Sequence, residues 1–348
     1  MTMAELDRLL RENIKKLIPY SSARNEYTGE ASVFLDANEN PFNEPVNRYP
    51  DPLQTHLKKE IARIKQVVPS SIFLGNGSDE AIDLVIRAFC EPRLDNIVSI
   101  DPTYGMYSVC ANVNNVEFRK VLLTPSFGLD VESLLSATDA QTKIIFLCSP
   151  NNPTSNRFSG ESIRRVLNTF EGIVVLDEAY IDFSSDKGFL PSLASWPNLV
   201  ILQTLSKAWG MAGIRLGMAF ADPKITGVLT KIKYPYNINI LTMETALRSL
   251  QHSTGPQKWI ETILKQRSLL EKELGSFSFV SKVFPSDANF LLVKVENPRD
   301  LYQYLARKEI IVRDRSGMSL CEGCLRITVG TPDENARLLE AMKAYQQS

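Results

Sequence analysis

From residue 70 to 220 the chain alternates short, nearly uninterrupted apolar runs with stretches whose apolar residues recur every three to four positions. The runs "SIFLG" (71–75), "NIVSI" (96–100), "VEFRKVLL" (116–123), "KIIFLCS" (143–149), "GIVVLD" (172–177), "NLVILQT" (198–204) and "LGMAF" (216–220) read as strands. Several lack the polar alternation of a half-solvated strand, which suits a largely parallel sheet covered on both faces. Between them, "SDEAIDLVIRAFC" (78–90) and "GESIRRVLNTF" (160–170) carry helical spacing. The alternation predicts an α/β layered domain, a mostly parallel seven-stranded sheet between helices.

After Tyr236 the order changes. A helical region over about 239–274 is followed by strand-like 289–295, helical 298–309, strand-like 310–314 and 324–330, and a closing helix. This is the α+β pattern of a smaller second domain. The expected division is an N-terminal arm over 1–27, a large domain over 28–236 and a small C-terminal domain over 237–348. The opening "MTMAELDRLLRENIKKLIPY" has helical apolar spacing broken by charges, so it reads as an amphipathic arm ending near Pro19 rather than a signal peptide. The Asn- and Pro-rich segment 36–52 reads as a loop, polar enough to carry function.

Composition narrows the classes. With 348 residues, 44% hydrophobic and 23% charged, the chain is globular, and a net charge of −1 gives no reason to expect nucleic acid or an anionic membrane as partner. No apolar run approaches the roughly 18 residues of a membrane span. Five scattered cysteines, an odd number, fit a reducing cytoplasm. Cys321 and Cys324 form a CxxC without a second pair or a nearby histidine, which reads as two thiols in a turn, with a redox dithiol as the alternative. Only two histidines occur, and GxSxG, HExxH and the phosphate-binding Gly-Lys loop are missing, so no metal site is expected and several hydrolase classes fall away.

Candidate chemistry gathers where open α/β sheets bind ligands, beyond the carboxyl ends of the strands. Gly75 to Glu80 opens a helix whose free amides suit a phosphate, with Ser78 or Asp79 as cap, although an ordinary capped turn fits as well. Tyr104 and Tyr107 follow the second strand, and "SPNNPT" with two amides follows the fourth. Asp177 ends a run too apolar to hold a carboxylate without a cation. "TLSKAWGMAGIRLG" (204–217) follows the sixth strand with Ser206, Lys207 and Arg215. Together these meet the needs of pyridoxal 5′-phosphate: a lysine for a covalent link, a carboxylate to keep the pyridine protonated, an aromatic plate and phosphate donors.

The segments "LDANENP", "RYPDP", "PTYGMYSV", "SPNNPT", "VVLDEAYIDF", "TLSKAWGMAGIRLG" and "LRITVGT" also resemble, in order and over about residues 19–340, those of the histidinol-phosphate aminotransferases. These are fold-type-I pyridoxal-phosphate enzymes. The resemblance implies Lys207 as Schiff-base lysine, Asp177 as partner of the pyridine nitrogen, Tyr104 as the stacked ring, and Asn152 and Tyr180 as partners of the phenolate oxygen. It implies a phosphate site made by the backbone of Gly77, Ser78 and Asp79 with Ser206 and Arg215, completed by Tyr49 of the partner subunit in an obligate homodimer. Arg326, with Arg313 and Tyr20, is implied to bind the substrate's anionic end, with Asn38 and Glu39 in the loop nearest it. One departure is visible: the family has Gly after "SPNNPT", where Ser155 stands here.

The implied reaction converts L-histidinol phosphate and 2-oxoglutarate into imidazole-acetol phosphate and L-glutamate, a step of histidine biosynthesis, with Lys207 carrying the proton. Residues alone leave open a threonine-phosphate decarboxylase or an aromatic amino-acid aminotransferase of the same fold. A cofactor-sensing transcription regulator is the distant alternative, and it needs a DNA-binding domain for which the arm is too short and not basic enough.

Overall fold

The computed structural model describes residues 3–20, 32–251 and 254–347. Its large sheet contains β1 (Ile72–Asn76), β2 (Asn96–Asp101), β3 (Glu117–Leu122), β4 (Thr142–Cys148), β5 (Ile173–Asp177), β6 (Leu199–Thr204) and β7 (Leu216–Ala221). The strand order is β1-β7-β6-β5-β4-β2-β3. Only β7 runs against its neighbours, pairing antiparallel with both β1 and β6. The carboxyl ends of β1, β2, β4, β5 and β6 therefore share one rim with the start of β7.

Period-2 geometry sends alternate residues of each strand to opposite faces. Val174, Leu176, Ile201 and Met218 enter one apolar cluster, and Ile173, Val175, Val200 and Ala219 enter the other. Both faces are covered, which explains the unbroken apolar runs. Helix Ser78–Phe89 lines the second cluster with Ile82, Val85 and Phe89, and helix Gly160–Thr169 lines the first with Ile163, Val166 and Leu167.

The helical region predicted over 239–274 is two helices, Ile240–Gln251 and Thr254–Leu274. The first packs Met243, Ala246 and Leu250 into the large sheet's core. A second, antiparallel sheet contains β8 (Val280–Val283), β9 (Phe290–Val295), β10 (Arg313–Asp314) and β11 (Cys324–Thr328), in the order β10-β11-β9-β8. One face holds its own core of Leu291, Val293, Leu325 and Ile327 against helices that supply Leu274, Leu305 and Leu339. The other face turns Phe290 and Leu292 into the large sheet's first cluster. Arg326 pairs with Leu292 in register and so shares that second face. The boundary expected at residue 27 lies outside the described residues.

Side-chain bonds to backbone carbonyls help to fix the two sheets together. Arg267 Nη1 donates to Ala288 O at 2.8 Å and Phe183 O at 3.2 Å. Ser155, where the resembling family has glycine, sits at φ +65°, the left-handed region that favours glycine. Its hydroxyl donates to Thr154 O at 2.6 Å and lies 3.1 Å from Pro285 O, and its carbonyl accepts from Asp287 N at 2.8 Å across the junction. Among the described residues no helix is long and apolar enough to cross a membrane.

Candidate active site

A cavity of about 580 Å³ opens at the shared rim of the large sheet and is roofed by the second. Asp177, the last residue of β5, is 3% exposed. Its Oδ2 accepts from Tyr107 Oη at 2.8 Å and its Oδ1 from Ala179 N at 3.0 Å. No cation pairs with it among the described residues. Burial pushes its pKa up, and the bonds from Tyr107 and Ala179 oppose that rise. Tyr107 is fully buried, stacked on Phe146 at 4.8 Å, so its hydroxyl is aimed by the core. Sequence reasoning placed Tyr107 at the rim but gave it no such role.

Lys207 lies in the turn after β6, which is tied by Met211 N to Leu205 O at 3.0 Å. The half-buried amine stands 5.4 Å from the centre of the Tyr180 ring. Desolvation, then the Arg326 guanidinium, lower its pKa against the opposing pull of Asp177 and Asp79. Tyr180 Oη lies 3.5 Å from Asn152 Nδ2, and Asn152 Oδ1 accepts from Arg326 Nη1 at 2.6 Å. Arg326 also lies over the Phe290 ring at 5.4 Å. Three residues distant in sequence thus converge on one corner.

The opposite side is built from the β1–β7 pair. Gly77 N donates to Arg215 O at 2.7 Å. Gly77 is the N-cap of helix Ser78–Phe89, and no side chain caps it, in place of the cap expected from Ser78 or Asp79. It sits at φ +73°, and a Cβ there would lie 2.7 Å from Arg215 Nη2. Gly217 is tighter still, since its Cβ would lie 2.1 Å from Ser78 N. Asp79 accepts from Tyr104 Oη at 3.0 Å and lies 3.6 Å from Arg215 Nη2. Ser206 Oγ is bonded by Thr204 Oγ1 at 2.9 Å.

The cavity lining includes Gly77, Ser78, Asp79, Tyr104, Asn152, Asp177, Tyr180, Ser206, Lys207, Arg215 and Arg326, as sequence reasoning expected, and also Arg315 and Met318, which it passed over. Other expected residues stand elsewhere in the single chain. Arg313 is exposed and outside the lining, directly opposite Arg326 across the strand pair. Tyr20 is 70% exposed. Asn38, Glu39 and Tyr49 border a separate surface hollow, where Glu39 pairs with Arg48 at 2.9 Å and Tyr49 stacks on Tyr236 at 4.4 Å. Cys321 and Cys324 are buried and free, and burial pushes their thiols up to about 12 and about 11, far from the thiolate range of redox pairs.

Three arginines, Arg215, Arg315 and Arg326, face two carboxylates, Asp79 and Asp177, so the cavity is net positive even with Lys207 neutral. It suits a ligand with several anionic groups.

Comparisons with known proteins give the chain a family and the fold relatives. The family model "Aminotransferase class I and II" matches residues 23–342. The histidinol-phosphate aminotransferase of Parabacteroides distasonis is 60% identical over 341 residues, covering 98% of this chain and 99% of that one. Among solved structures, the histidinol-phosphate aminotransferase from Clostridium acetobutylicum superposes with a TM-score of 0.80 at 26% identity, over 87% of this chain and 91% of that one. The Sinorhizobium meliloti histidinol-phosphate aminotransferase in complex with pyridoxal-5′-phosphate shares the fold, with a TM-score of 0.78 at 22% identity over 86% of this chain and 84% of that one. The chain belongs to the class I and II aminotransferases.

Proposed function

We propose that the chain is a pyridoxal-phosphate-dependent aminotransferase that exchanges an amino group between L-histidinol phosphate and 2-oxoglutarate, giving imidazole-acetol phosphate and L-glutamate. The carrying observation is a half-buried amine, Lys207, in one cavity with a buried carboxylate, Asp177, that pairs with no cation among the described residues. A protonated pyridine nitrogen is the counter-charge such a carboxylate lacks, and helix amides without a side-chain cap beside Arg215 suit a phosphate. The residues present therefore fit pyridoxal phosphate. When bound, that group supplies an electron sink for the charge developing at the substrate Cα.

The protein's residues do the rest. Lys207 would hold the cofactor covalently, and the burial that lowers its pKa favours the neutral amine that can take and return the Cα proton. Asp177 holds the ring protonated, and Tyr107 and the Ala179 amide hold Asp177 in place. Tyr104 is steadied by Asp79 as a plate beside the ring, and Asn152 and Tyr180 present polar ends for its oxygen. The backbone at Gly77, Ser78 and Asp79, with the amides of Ser78 and Asp79 as donors because that of Gly77 is taken by Arg215 O, grips the phosphate together with Ser206 and Arg215, and Arg326 takes the substrate's anionic end. Five buried free thiols suit a reducing cytoplasm. Cofactor-loaded protein given histidinol phosphate and 2-oxoglutarate is expected to form glutamate and imidazole-acetol phosphate one for one. Carbon dioxide release from threonine phosphate without glutamate, or faster turnover of an aromatic donor, would sink this reading.

The working unit on this reading is a homodimer in which Tyr20, Asn38, Glu39 and Tyr49 complete the site of the neighbouring subunit. Supporting it, Ile18, Leu35, Phe42 and Tyr234 stand 89%, 91%, 76% and 78% exposed, and the Tyr49–Tyr236 stack ties loop 36–52 to the turn bearing Tyr234. Large apolar side chains left this exposed suit burial against a partner subunit. Light scattering should report twice the 39.1 kDa chain mass. A fully active monomer would refute the shared site.

A further inference from the structure

Arg315 is a pocket-lining guanidinium with unmet donors. It sits just past β10, its backbone N donating to Cys324 O at 2.9 Å, and lines the same cavity as Lys207 and Arg326. Its Nε is buried with no hydrogen-bond partner, and no carboxylate pairs with it among the described residues. Burial, then Arg326 and Arg313, act against its charge, so like-charged groups crowd one wall of the cavity. Guanidinium does not deprotonate in such a setting, so the wall carries a standing demand for an anion.

Arg326 cannot meet that demand alone. Its Nη1 is committed to Asn152 and one face to Phe290, leaving a free edge that matches a single carboxylate. A phosphate brings up to two charges and three terminal oxygens, and needs a second donor group. Arg315 is placed to be that group by a short turn. Met318 N donates to Arg315 O at 2.9 Å, and Ser319 Oγ donates to Asp101 Oδ2 at 2.6 Å, pinning the turn to the end of β2. A fixed turn sets where the side chain starts, which lowers the cost of ordering it on a ligand.

We propose that Arg315 is a specificity-determining residue that contacts the phosphate of the phosphorylated substrate, while Arg326 serves carboxylate and phosphate alike. The proposal rests on the aminotransferase reading above. The test compares cofactor-loaded wild type with Arg315→Gln and Arg315→Lys. Arg315→Gln should lower kcat/KM for histidinol phosphate by about 10- to 100-fold, the range of one charge-assisted contact, and that for glutamate by less than about 3-fold. Arg315→Lys should recover part of the loss, since it restores the charge without the fork. Calorimetric titration of the loaded enzyme with inorganic phosphate should show at least about 10-fold weaker binding in Arg315→Gln. Equal losses for the two substrates, or phosphate affinity unchanged by Arg315→Gln, overturn the proposal. Wild type inert toward histidinol phosphate but active on another amino donor refutes the function reading, and the phosphate titration still decides the role of Arg315.

Discussion

Lys207→Ala is expected to lose at least roughly 10⁴ in kcat while the fold and the cofactor's phosphate grip survive, because it removes both the covalent anchor and the proton carrier. The amine is half-buried, and desolvation and Arg326 favour its neutral form. No neighbour can replace it. Tyr104 and Tyr180 have hydroxyls pushed up in pKa by burial, so they are poor bases near neutral pH. Asp177 has both oxygens engaged. Lys207→Arg should be as inactive, since guanidinium stays protonated. Borohydride reduction followed by peptide mass spectrometry should find the cofactor's mass on Lys207 in wild type and nowhere in the alanine variant. Turnover within tenfold of wild type would end the assignment.

Asp177→Asn keeps the shape and removes the charge, with two opposed results expected. Activity should fall by about 10²- to 10³-fold, since leaving a buried charge without its partner costs about 3–5 kcal/mol, and here the partner is the protonated ring. Stability without cofactor should rise. Burial raises the Asp177 pKa above its unfolded value, so the folded state disfavours the ionised form. That penalty is absent at acid pH, sets in as pH rises through the unfolded and then the folded pKa, and is lifted by a neutral amide. Thermal melts of the cofactor-free variants near neutral pH, with kcat of the loaded ones, test both halves. An asparagine variant within threefold of wild-type kcat, or one that melts lower without cofactor, contradicts this account.

The sheet and the centre of the site were legible because burial on both faces leaves a signature that no neighbour is needed to read. Each of the seven apolar runs became a strand of the large sheet, shifted by a residue or two at its ends. Lys207, Asp177, Asn152 and Arg215 were legible because each ends, follows or immediately precedes such a run. What was missed depends on partners. β8 is a half-exposed four-residue strand with no apolar run of its own. The run 310–314 shrank to Arg313–Asp314, with Ile310 packed in the small core and Ile311 73% exposed. The role of Tyr107 required the register that sets its ring on Phe146, and that of Arg315 required a turn closed across β10 and β11. No local pattern encodes either. On the proposed homodimer reading, Tyr20, Asn38, Glu39 and Tyr49, which lie off the cavity of one chain, belong to a neighbour's site.

The tight seam at Gly217 reaches beyond binding. β1 is an edge strand, joined to the sheet through β7 alone, and the last rungs of that ladder, Asn76 with Leu216 and Gly75 with Gly217, run directly into Gly77 and Arg215. On the proposed reading, a phosphate bridging helix Ser78–Phe89, Ser206 and Arg215 stitches the edge of the sheet to its interior. Edges fray first, and a ligand that binds the closed form suppresses fraying by mass action. Frayed chains are the ones that cellular proteases remove. The number of enzyme molecules a cell retains would then follow its vitamin supply at constant synthesis, with the first β-strand acting as the gauge.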